Sequence, residues 1–416
     1  MRGIAPVKVC FLAPELLPNR GGVGTYSIGV LRELTRQADV VVVTPQRWEG
    51  TETYTASQVE AYFDGRLRAE TVSEARDSFV YNARFQWALL RRLPALVRRE
   101  GFDVVQSHHA HMPDLLSGEL GPMPPIVRTV HSTIRGQREG IAAADRLGGG
   151  ARDPADRWQI GLAPLLAAAE RRVLARPGDR YLAVSGWMAG QLERRGIAAD
   201  RIGLAYCGVD PDRFRPDLRA PDRLRRGPDE RIILFPSRPT LIRGSAVLAR
   251  AIPRIVDGYP GARVVVTGAP QADAERVMPV PPAYREHVRY LGFQPYDRLP
   301  EIYASSDLVV VPTFYDNFPI RALEAMASGV PVVATPVGGI PEMIEPDVSG
   351  VLTPAGDPAA LADAVLRVLR DPGLAQRLGR AGRSRVAERF TWKLAAQATI
   401  AAYRTAVDGS STGRRR

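Results

Sequence analysis

The sequence of 416 residues has little of three things: cysteine, lysine and long apolar runs. Its two cysteines, Cys10 and Cys207, lie far apart and lack the spacing of a metal site, so we interpret both as small buried side chains. No apolar run approaches the roughly 20 residues of a transmembrane helix. The apolar segment from Val7 to Ala13 has only the length of a strand and does not fit a cleavable signal. We therefore expect a globular protein that stays in the cytoplasm.

Lysine is nearly absent, because Lys8 and Lys393 are the only lysines among 56 basic residues. The formal net charge of +11 is typical of proteins that bind phosphate-rich partners such as nucleic acids or membranes. The arginines, however, are dispersed among acidic residues, and a G+C-rich genome produces the same bias. We therefore expect no nucleic-acid partner, and we keep peripheral contact with anionic lipid as an open alternative.

Apolar runs of strand length alternate with helical segments, which is typical of doubly wound parallel sheets. A length of 416 residues and a hydrophobic content of 45% suffice for two or three domains. We expect an α/β protein with one Rossmann-like domain over residues 1–212 and a second over residues 213–390. Residues 391–416 are expected to form a C-terminal helix with a frayed tail.

The most informative stretch runs from Pro312 to Ala334. It follows an apolar, β-branched run and predicts a turn, then a helix from Ile320 to Ser328 that ends at Gly329. In an open parallel sheet, ligands bind beyond the carboxyl ends of the strands, where the first turn of such a helix offers free backbone N–H groups. The stretch therefore predicts a ligand site.

Two acidic residues, Asp316 and Glu324, stand at the two ends of this turn and helix. Their spacing lets both reach one ligand without lying side by side. A carboxylate accepts two hydrogen bonds from a vicinal diol, the group that sugars and ribose present. On spacing alone, two solvated surface acids are an equally good interpretation.

The complete string resembles the acidic E-x7-E signature of the retaining, nucleotide-sugar-dependent glycosyltransferases of family 4, including its trailing E-A-M-A-x-G-x-P-V-V-A. The GT-B fold of that family has two Rossmann-like domains that face each other across a cleft, and its C-terminal helix packs back on the first domain. Asp316 stands where the family more often has glutamate, which shortens the reach to the donor sugar by one methylene. The resemblance covers nearly the whole chain and is strongest from Tyr181 to Trp392.

The resemblance implies a donor site on the second domain. Asp316 is expected to bind the sugar hydroxyls and Glu324 the ribose, and the neighbours expected to line the site are Asn317, Phe318 and Pro319. The family stacks its nucleotide base at the position of Gly292 and Phe293.

Two arginines follow the predicted strand of residues 231–235. Cations at that place neutralise a diphosphate and stabilise the leaving group as negative charge develops. The resemblance maps Arg238 onto an arginine of the family and Arg243 onto its usual lysine. Arginine keeps the charge of lysine but changes the geometry of the contact.

A glycine-rich loop, Gly21 to Gly24, joins the first predicted strand to a helix. Such a loop is either a phosphate cradle or a flexible turn. In the resembling family it lies against the donor diphosphate and the acceptor, which implies a role for Gly22 and Gly24.

Four of the five histidines follow two neighbouring predicted strands: His108, His109, His111 and His131. A metal site is one interpretation, although carboxylate and cysteine partners are absent at usable spacing. Structural histidines at strand ends are a second. We prefer an acceptor pocket formed by His109, His111 and His131, because imidazole both donates and accepts hydrogen bonds near neutral pH. The resemblance places His131 nearest the reacting carbon.

The stretch from Thr133 to Arg152 is rich in glycine, arginine and alanine and shows no clear period. We expect an irregular lid or acceptor loop there, or plain disorder. Arg135 is a candidate to bind an anionic acceptor. The pair Asp210 and Asp212 spells a D-x-D motif, but the intervening proline indicates a turn rather than a metal site.

Taken together, the sequence predicts a retaining glycosyltransferase that moves a sugar from a nucleoside-diphosphate sugar to a small polar acceptor. A cyclitol, aminocyclitol, sugar phosphate or natural-product intermediate is expected as acceptor, with no metal or other cofactor. The residues expected nearest the chemistry are His131, Arg238, Arg243 and Asp316.

Three alternatives stay open. They are a lipid or polysaccharide glycosyltransferase at the membrane surface, a nucleotide-sugar epimerase or glycan phosphorylase on the same fold, and a non-catalytic basic binding protein. The base, the sugar and the oligomeric state cannot be inferred from these residues.

Overall fold

The computed structural model describes residues 6–18, 21–49, 52–75, 80–109, 115, 123–146, 154–176, 178–218, 224, 227 and 229–413. The chain divides into two compact units. Unit 1 comprises Met1–Thr133, Leu166–Gly208 and Trp392–Arg416, and unit 2 comprises Ile134–Leu165 and Val209–Thr391.

In the described part of the chain the strands are β1 (Lys8–Leu12), β2 (Asp39–Glu49), β3 (Glu52–Tyr54), β4 (Arg68–Ala75), β5 (Val104–His108), β6 (Ile126–Val130), β7 (Arg180–Ala183), β8 (Ile202–Leu204), β9 (Arg231–Phe235), β10 (Ala262–Thr267), β11 (Val288–Gly292), β12 (Leu308–Val311), β13 (Val332–Ala334) and β14 (Val351–Leu352).

The α-helices among the same residues are α1 (Gly22–Leu34), α2 (Ala56–Tyr62), α3 (Val80–Glu100), α4 (Ile134–Arg146), α5 (Pro154–Leu174), α6 (Gly186–Glu193), α7 (Ser245–Gly258), α8 (Gln271–Val277), α9 (Leu299–Ala304), α10 (Ile320–Ala327), α11 (Ile340–Met343), α12 (Pro358–Arg370), α13 (Pro372–Arg389) and α14 (Trp392–Gly413). None of them is long and apolar enough to cross a membrane.

Unit 1 is built on one sheet in the order β3-β2-β1-β5-β6-β7-β8, with β4 also paired to β2. Every pair is parallel except β2 with β3. The central strands β5 and β6 are buried along their whole length, as expected for strands covered on both faces. The C-terminal helix α14 belongs to this unit, where Trp392 packs edge-on against Tyr26 of α1 with ring centroids 5.9 Å apart.

Unit 2 is built on a fully parallel sheet in the order β11-β10-β9-β12-β13-β14. Strands numbered within the unit run 3-2-1-4-5-6, which is the doubly wound order. The direction of winding reverses between β9 and β12, so the carboxyl ends of these two strands flank the switch point. Both units therefore confirm the α/β class with two Rossmann-like domains.

The division differs from the domain limits expected from the sequence, because Ile134–Leu165 clusters with unit 2. The expectation of an irregular loop is wrong for Ile134–Arg146, which is helix α4. Two glycines one turn apart, Gly136 and Gly140, seat this helix on Tyr315 of unit 2. A Cβ atom added at either glycine would lie 2.4 Å from an atom of Tyr315, so larger residues would push the helix away.

The loops that follow β9 and β12 are fastened to each other. The backbone oxygen of Ile242 accepts hydrogen bonds from the N–H of Phe314 at 2.8 Å and from the hydroxyl of Thr313 at 2.9 Å. Gly244 has φ +76° and precedes α7, and a Cβ atom there would lie 1.8 Å from the backbone oxygen of Pro312. The switch point thus requires glycine at residue 244.

We expect Gly244→Ala to destabilise unit 2 by about 2 kcal/mol or more, because left-handed strain and a backbone clash add together. The control is Gly292→Ala, which has φ +68° but no atom within 4 Å of the added Cβ, so strain alone applies. Thermal unfolding followed by fluorescence measures both variants. A melting temperature for Gly244→Ala equal to that of the control would contradict this packing.

Candidate functional site

Three charged residues follow the two strands that flank the switch point of unit 2. Arg238 and Arg243 lie on the loop that follows β9, and Asp316 lies on the loop that follows β12. The crevice beyond the carboxyl ends of the strands at a switch point is where open α/β sheets bind ligands. The role of Arg238, Arg243 and Asp316 in donor binding stays a prediction.

A single carboxylate oxygen of Asp316 is shared by two arginines. Asp316 Oδ2 accepts a hydrogen bond from Arg243 Nη1 and another, of 2.8 Å, from Arg321 Nη2. Burial opposes ionisation of Asp316, but the charges of both arginines and their hydrogen bonds outweigh it and lower the pKa of the carboxyl. Burial and the charge of Arg243 lower the pKa of Arg321 to about 10, against the opposite effect of Asp316.

The backbone around Asp316 is fixed by a second close approach. Gly338 has φ +58°, and a Cβ atom there would lie 1.8 Å from the backbone oxygen of Asp316. The N–H of Gly339 donates to the backbone oxygen of Asn317 at 2.8 Å. Phe318 is buried edge-on against Phe390, with ring centroids 5.3 Å apart. These contacts therefore fix the backbone of the loop that carries Asp316.

Glu324 is buried within α10, and its Oε2 accepts a hydrogen bond of 2.8 Å from the hydroxyl of Tyr303. Burial raises the pKa of the Glu324 carboxyl from its ordinary value of 4.5 to about 7. Hydrogen bonds from Tyr303 and Tyr296, and the charges of Arg213 and Arg321, act in the opposite direction but do not cancel burial. The site thus combines one ionised carboxylate, Asp316, with one acid that titrates near neutral pH.

The carboxyl ends of the three strands β9, β10 and β11 are adjacent. The N–H of Gly268, just after β10, donates to the backbone oxygen of Gly292 at 2.8 Å. The next residue, Phe293, is half-exposed, and Arg238 is exposed at the end of β9. An aromatic ring and a cation therefore both follow strands at the carboxyl end of the sheet. Pro319, the last of the predicted donor residues, is buried and precedes the first turn of α10.

Unit 1 carries a pair of histidines near its own switch point, between β1 and β5. His108 Nδ1 lies 3.0 Å from His131 Nε2, and the two rings stack at an angle of 22°. The edge of Tyr26 packs on His131 with centroids 4.6 Å apart. One imidazole must donate to the other, so each ring restricts the tautomer of its neighbour. Gly22 is the first residue of α1 and Gly24 lies buried in its first turn, which follows β1.

Two of the other predicted acceptor residues, His109 and Arg135, have acidic partners of their own. His109 is buried, with its Nε2 3.0 Å from Glu170 Oε1, and Glu170 also accepts a 3.0 Å hydrogen bond from Arg195. Arg135 is exposed on α4 of unit 2 and pairs with Glu139 at 2.7 Å. His111 lies outside the described residues. A role in acceptor binding stays a prediction for all three.

No group of three His, Cys, Asp or Glu side chains within the described ranges is arranged to hold a metal ion. The Asp210 and Asp212 pair forms a turn, because Asp210 Oδ1 accepts from the N–H of Asp212 at 3.0 Å and from that of Arg213 at 3.2 Å.

Three contributors were missed by the sequence analysis: Arg321, Tyr303 and Gly338. Arg321 had a detectable signal, because it is a charged residue three positions before Glu324 and therefore on the same side of an otherwise apolar helix. The contacts of Tyr303 and Gly338 depend on segments distant in the sequence and left no comparable signal.

Two family models match the chain. The model described as Glycosyltransferase Family 4 matches residues 20–213, and the model described as Glycosyl transferases group 1 matches residues 230–371. D-inositol 3-phosphate glycosyltransferase of Streptomyces bingchenggensis (strain BCW-1) is 32% identical over 331 residues, which cover 74% of this chain and 68% of the relative. That of Nocardia farcinica (strain IFM 10152) is 31% identical over 323 residues, covering 74% and 67%.

Solved structures share the whole fold. Sucrose-phosphate synthase from Thermosynechococcus elongatus superposes with a TM-score of 0.75 at 22% identity, covering 96% of this chain and 98% of that one. HepE of Anabaena, solved in complex with UDP and glucose, gives a TM-score of 0.65 at 17% identity, covering 95% and 98%. At these identities the likeness establishes the fold.

The raised pKa of Glu324 predicts a pH-dependent cost of folding. Below pH 4.5 the carboxyl is protonated in both states. As the pH rises above 4.5 the unfolded chain releases its proton, while the folded protein keeps its proton until about pH 7, so wild type loses stability relative to Glu324→Gln across this interval. The full difference amounts to about 3 kcal/mol.

We therefore expect the free energy of unfolding of Glu324→Gln to rise relative to wild type between about pH 4.5 and pH 7, the interval between the two pKa values, and to stay level above it. Urea unfolding at a series of pH values measures this difference. A difference that stays constant over that range would show that the Glu324 carboxyl is not held in its neutral form.

Proposed function

The chain belongs to the family 4 glycosyltransferases of GT-B fold, and from this premise we propose that it is a retaining enzyme that uses a nucleoside-diphosphate sugar. The acceptor in this proposal is a small polar molecule with a free hydroxyl group. The observation that carries the proposal is the contact of Arg243 with Asp316 at the switch point of unit 2, with Arg238 exposed on the same loop as Arg243.

A diphosphate fits the positive charges of the loop that follows β9. Arg238 and Arg243 provide two guanidinium groups that neutralise the phosphates without a metal ion and stabilise the negative charge that develops on the leaving group. Arg243 exchanges its contact with Asp316 for one with the phosphate, and Asp316 then accepts hydrogen bonds from the sugar hydroxyls. HepE, whose fold this chain shares, is a protein solved with UDP and glucose, which supports a donor of this class.

The remaining groups of unit 2 suit the nucleoside. The half-exposed ring of Phe293 offers a face on which the base stacks. Burial favours the protonated form of the Glu324 carboxyl, whereas the ribose diol donates hydrogen bonds to its ionised form. Donor binding therefore drives release of the Glu324 proton. The hydroxyl of Tyr303 keeps the carboxylate oriented in the free protein.

Transfer with retention follows from a front-face displacement. The bond between the anomeric carbon and the phosphate oxygen breaks as the acceptor oxygen bonds to the same face of that carbon. The acceptor proton passes to the departing phosphate oxygen, so no protein nucleophile is required. In the proposal His131, held by His108, binds hydroxyl groups near the reacting carbon. Relatives named D-inositol 3-phosphate glycosyltransferase support a small, polar and anionic acceptor.

A second candidate, transfer to an acceptor at an anionic membrane surface, is favoured by one face of α3. This face carries Arg84, Trp87, Arg91 and Arg98, which are all exposed. Successive residues of this set are three, four and seven positions apart, which places them on the same side of a helix. Trp87 is 52% exposed, and the guanidinium of Arg91 lies 4.8 Å from the centre of its ring. An exposed tryptophan among arginines suits the interface of an anionic bilayer.

Sedimentation with phosphatidylcholine vesicles, with and without an anionic phospholipid, distinguishes the two candidates. The membrane candidate predicts binding only to anionic vesicles, weakened roughly fivefold by Arg91→Ala, since each arginine near the surface contributes about 1 kcal/mol. Arg367→Ala, on the exposed surface of unit 2, is the control and should bind as wild type does. Absence of wild-type binding to anionic vesicles rules this candidate out.

The donor proposal predicts calorimetric binding of a nucleoside diphosphate in the presence of a chelator. UDP, GDP and ADP are titrated separately. Arg238→Ala should weaken the selected nucleotide by roughly 10- to 150-fold, because a hydrogen bond to a charged group contributes about 1.5–3 kcal/mol. Arg367→Ala again serves as the control. A folded wild-type protein that binds none of the three nucleotides, or needs a metal to do so, would contradict the proposal.

A further inference from the structure

We propose that Arg321 is a positioning residue, which keeps Asp316 ionised and in place while Arg243 moves to the donor diphosphate. The inference rests on the proposed function, since it concerns what happens to Asp316 when a diphosphate arrives. It starts from the sharing of a single oxygen, Asp316 Oδ2, by the two guanidinium groups.

The two arginines that share this oxygen lie in different surroundings. Arg243 is on the loop that follows β9, and its side chain is 35% exposed. Arg321 is in the first turn of α10, and its side chain is 16% exposed. Arg243 therefore has a route to an incoming phosphate, whereas Arg321 is held by the helix on which it sits.

Asp316 is itself too buried to lose both partners. Its side chain is only 14% exposed, and a buried carboxylate without a counter-ion is strongly destabilised. If Arg243 were its sole partner, moving Arg243 to the phosphate would leave the charge of Asp316 uncompensated, and this cost would subtract from donor binding. With Arg321 in contact at 2.8 Å, the carboxylate keeps one cation throughout.

The position of Arg321 also explains why it stays. Its charge also acts to lower the pKa of Glu324, three residues further along the same helix. Its guanidinium near the positive N-terminal end of α10 is unfavourable by itself, and the contact with Asp316 offsets this effect. The contact with Asp316 therefore compensates the charge of Arg321 as well as that of the carboxylate.

The test is calorimetric titration of UDP, GDP or ADP, whichever binds wild type, into a set of variants at constant pH. Arg321→Met should weaken the nucleotide at least about tenfold, because binding now strips Asp316 of its remaining partner. Asp316→Asn in the same chain removes the charge that needs compensation. The double variant Asp316→Asn, Arg321→Met should therefore bind as Asp316→Asn does. Arg321→Lys, which keeps a cation, should bind within about threefold of wild type.

The pH dependence of nucleotide affinity distinguishes this role of Arg321 from a merely structural one. In Arg321→Met the loss of affinity should shrink as the pH falls and Asp316 becomes protonated, while Asp316→Asn, Arg321→Met should show no such recovery. A merely structural arginine would weaken binding equally at every pH and equally with or without the Asp316 charge.

The possible outcomes separate the inference from the proposed function. A wild-type protein that binds no nucleotide overturns the proposed function. A wild type that binds, together with an Arg321→Met variant of equal affinity, overturns the inference alone. If Arg321→Met does not fold, Arg321→Gln, which also lacks the charge, replaces it in the same comparison, alone and with Asp316→Asn. Weaker binding by the double variant than by Asp316→Asn would show that Arg321 acts other than through Asp316.

Discussion

The candidate site depends on a buried carboxylate, Asp316, that is compensated by two arginines from different elements of unit 2. This arrangement requires the loop after β9, the loop after β12 and the first turn of α10 to meet at one point. The hydrogen bonds to Ile242 and the close approach of Gly244 to Pro312 supply that meeting. The charge of the site therefore depends on the architecture of the sheet, because the switch point brings these loops together.

The two units contribute different chemistry. Unit 2 concentrates charge, with Asp316 and its two arginine partners at the switch point and Glu324, which titrates near neutral pH, within α10. Unit 1 presents a pair of stacked imidazoles against Tyr26, whose hydrogen-bonding pattern is set by tautomer rather than by net charge. A site that handles a diphosphate needs the first kind of surface, and a site that orients hydroxyl groups needs the second.

The parts of this molecule that sequence predicted well are those governed by local pattern. The β-branched run before Pro312 and the apolar spacing of Ile320–Ala327 predicted strand β12 and helix α10, because both elements follow from period and length. Helix α4 escaped prediction because its glycines fit against Tyr315, far away in the sequence, and no local period reveals such a seat. The burial of His109 likewise depends on Glu170, sixty-one residues further along the chain. Arg321 was visible in the motif, but its partner could be identified only once the loop and helix were seen together.

The central claim is that the chain transfers a sugar from a nucleotide donor to a hydroxylated acceptor with retention. Proton NMR of a reaction that contains a nucleoside-diphosphate sugar and a cyclitol phosphate tests it most directly, because the anomeric signals report both turnover and configuration. The account predicts release of nucleoside diphosphate only when the acceptor is present, and a product with the anomeric configuration of the donor. An inverted product, or release that does not depend on any hydroxylated acceptor, would contradict it.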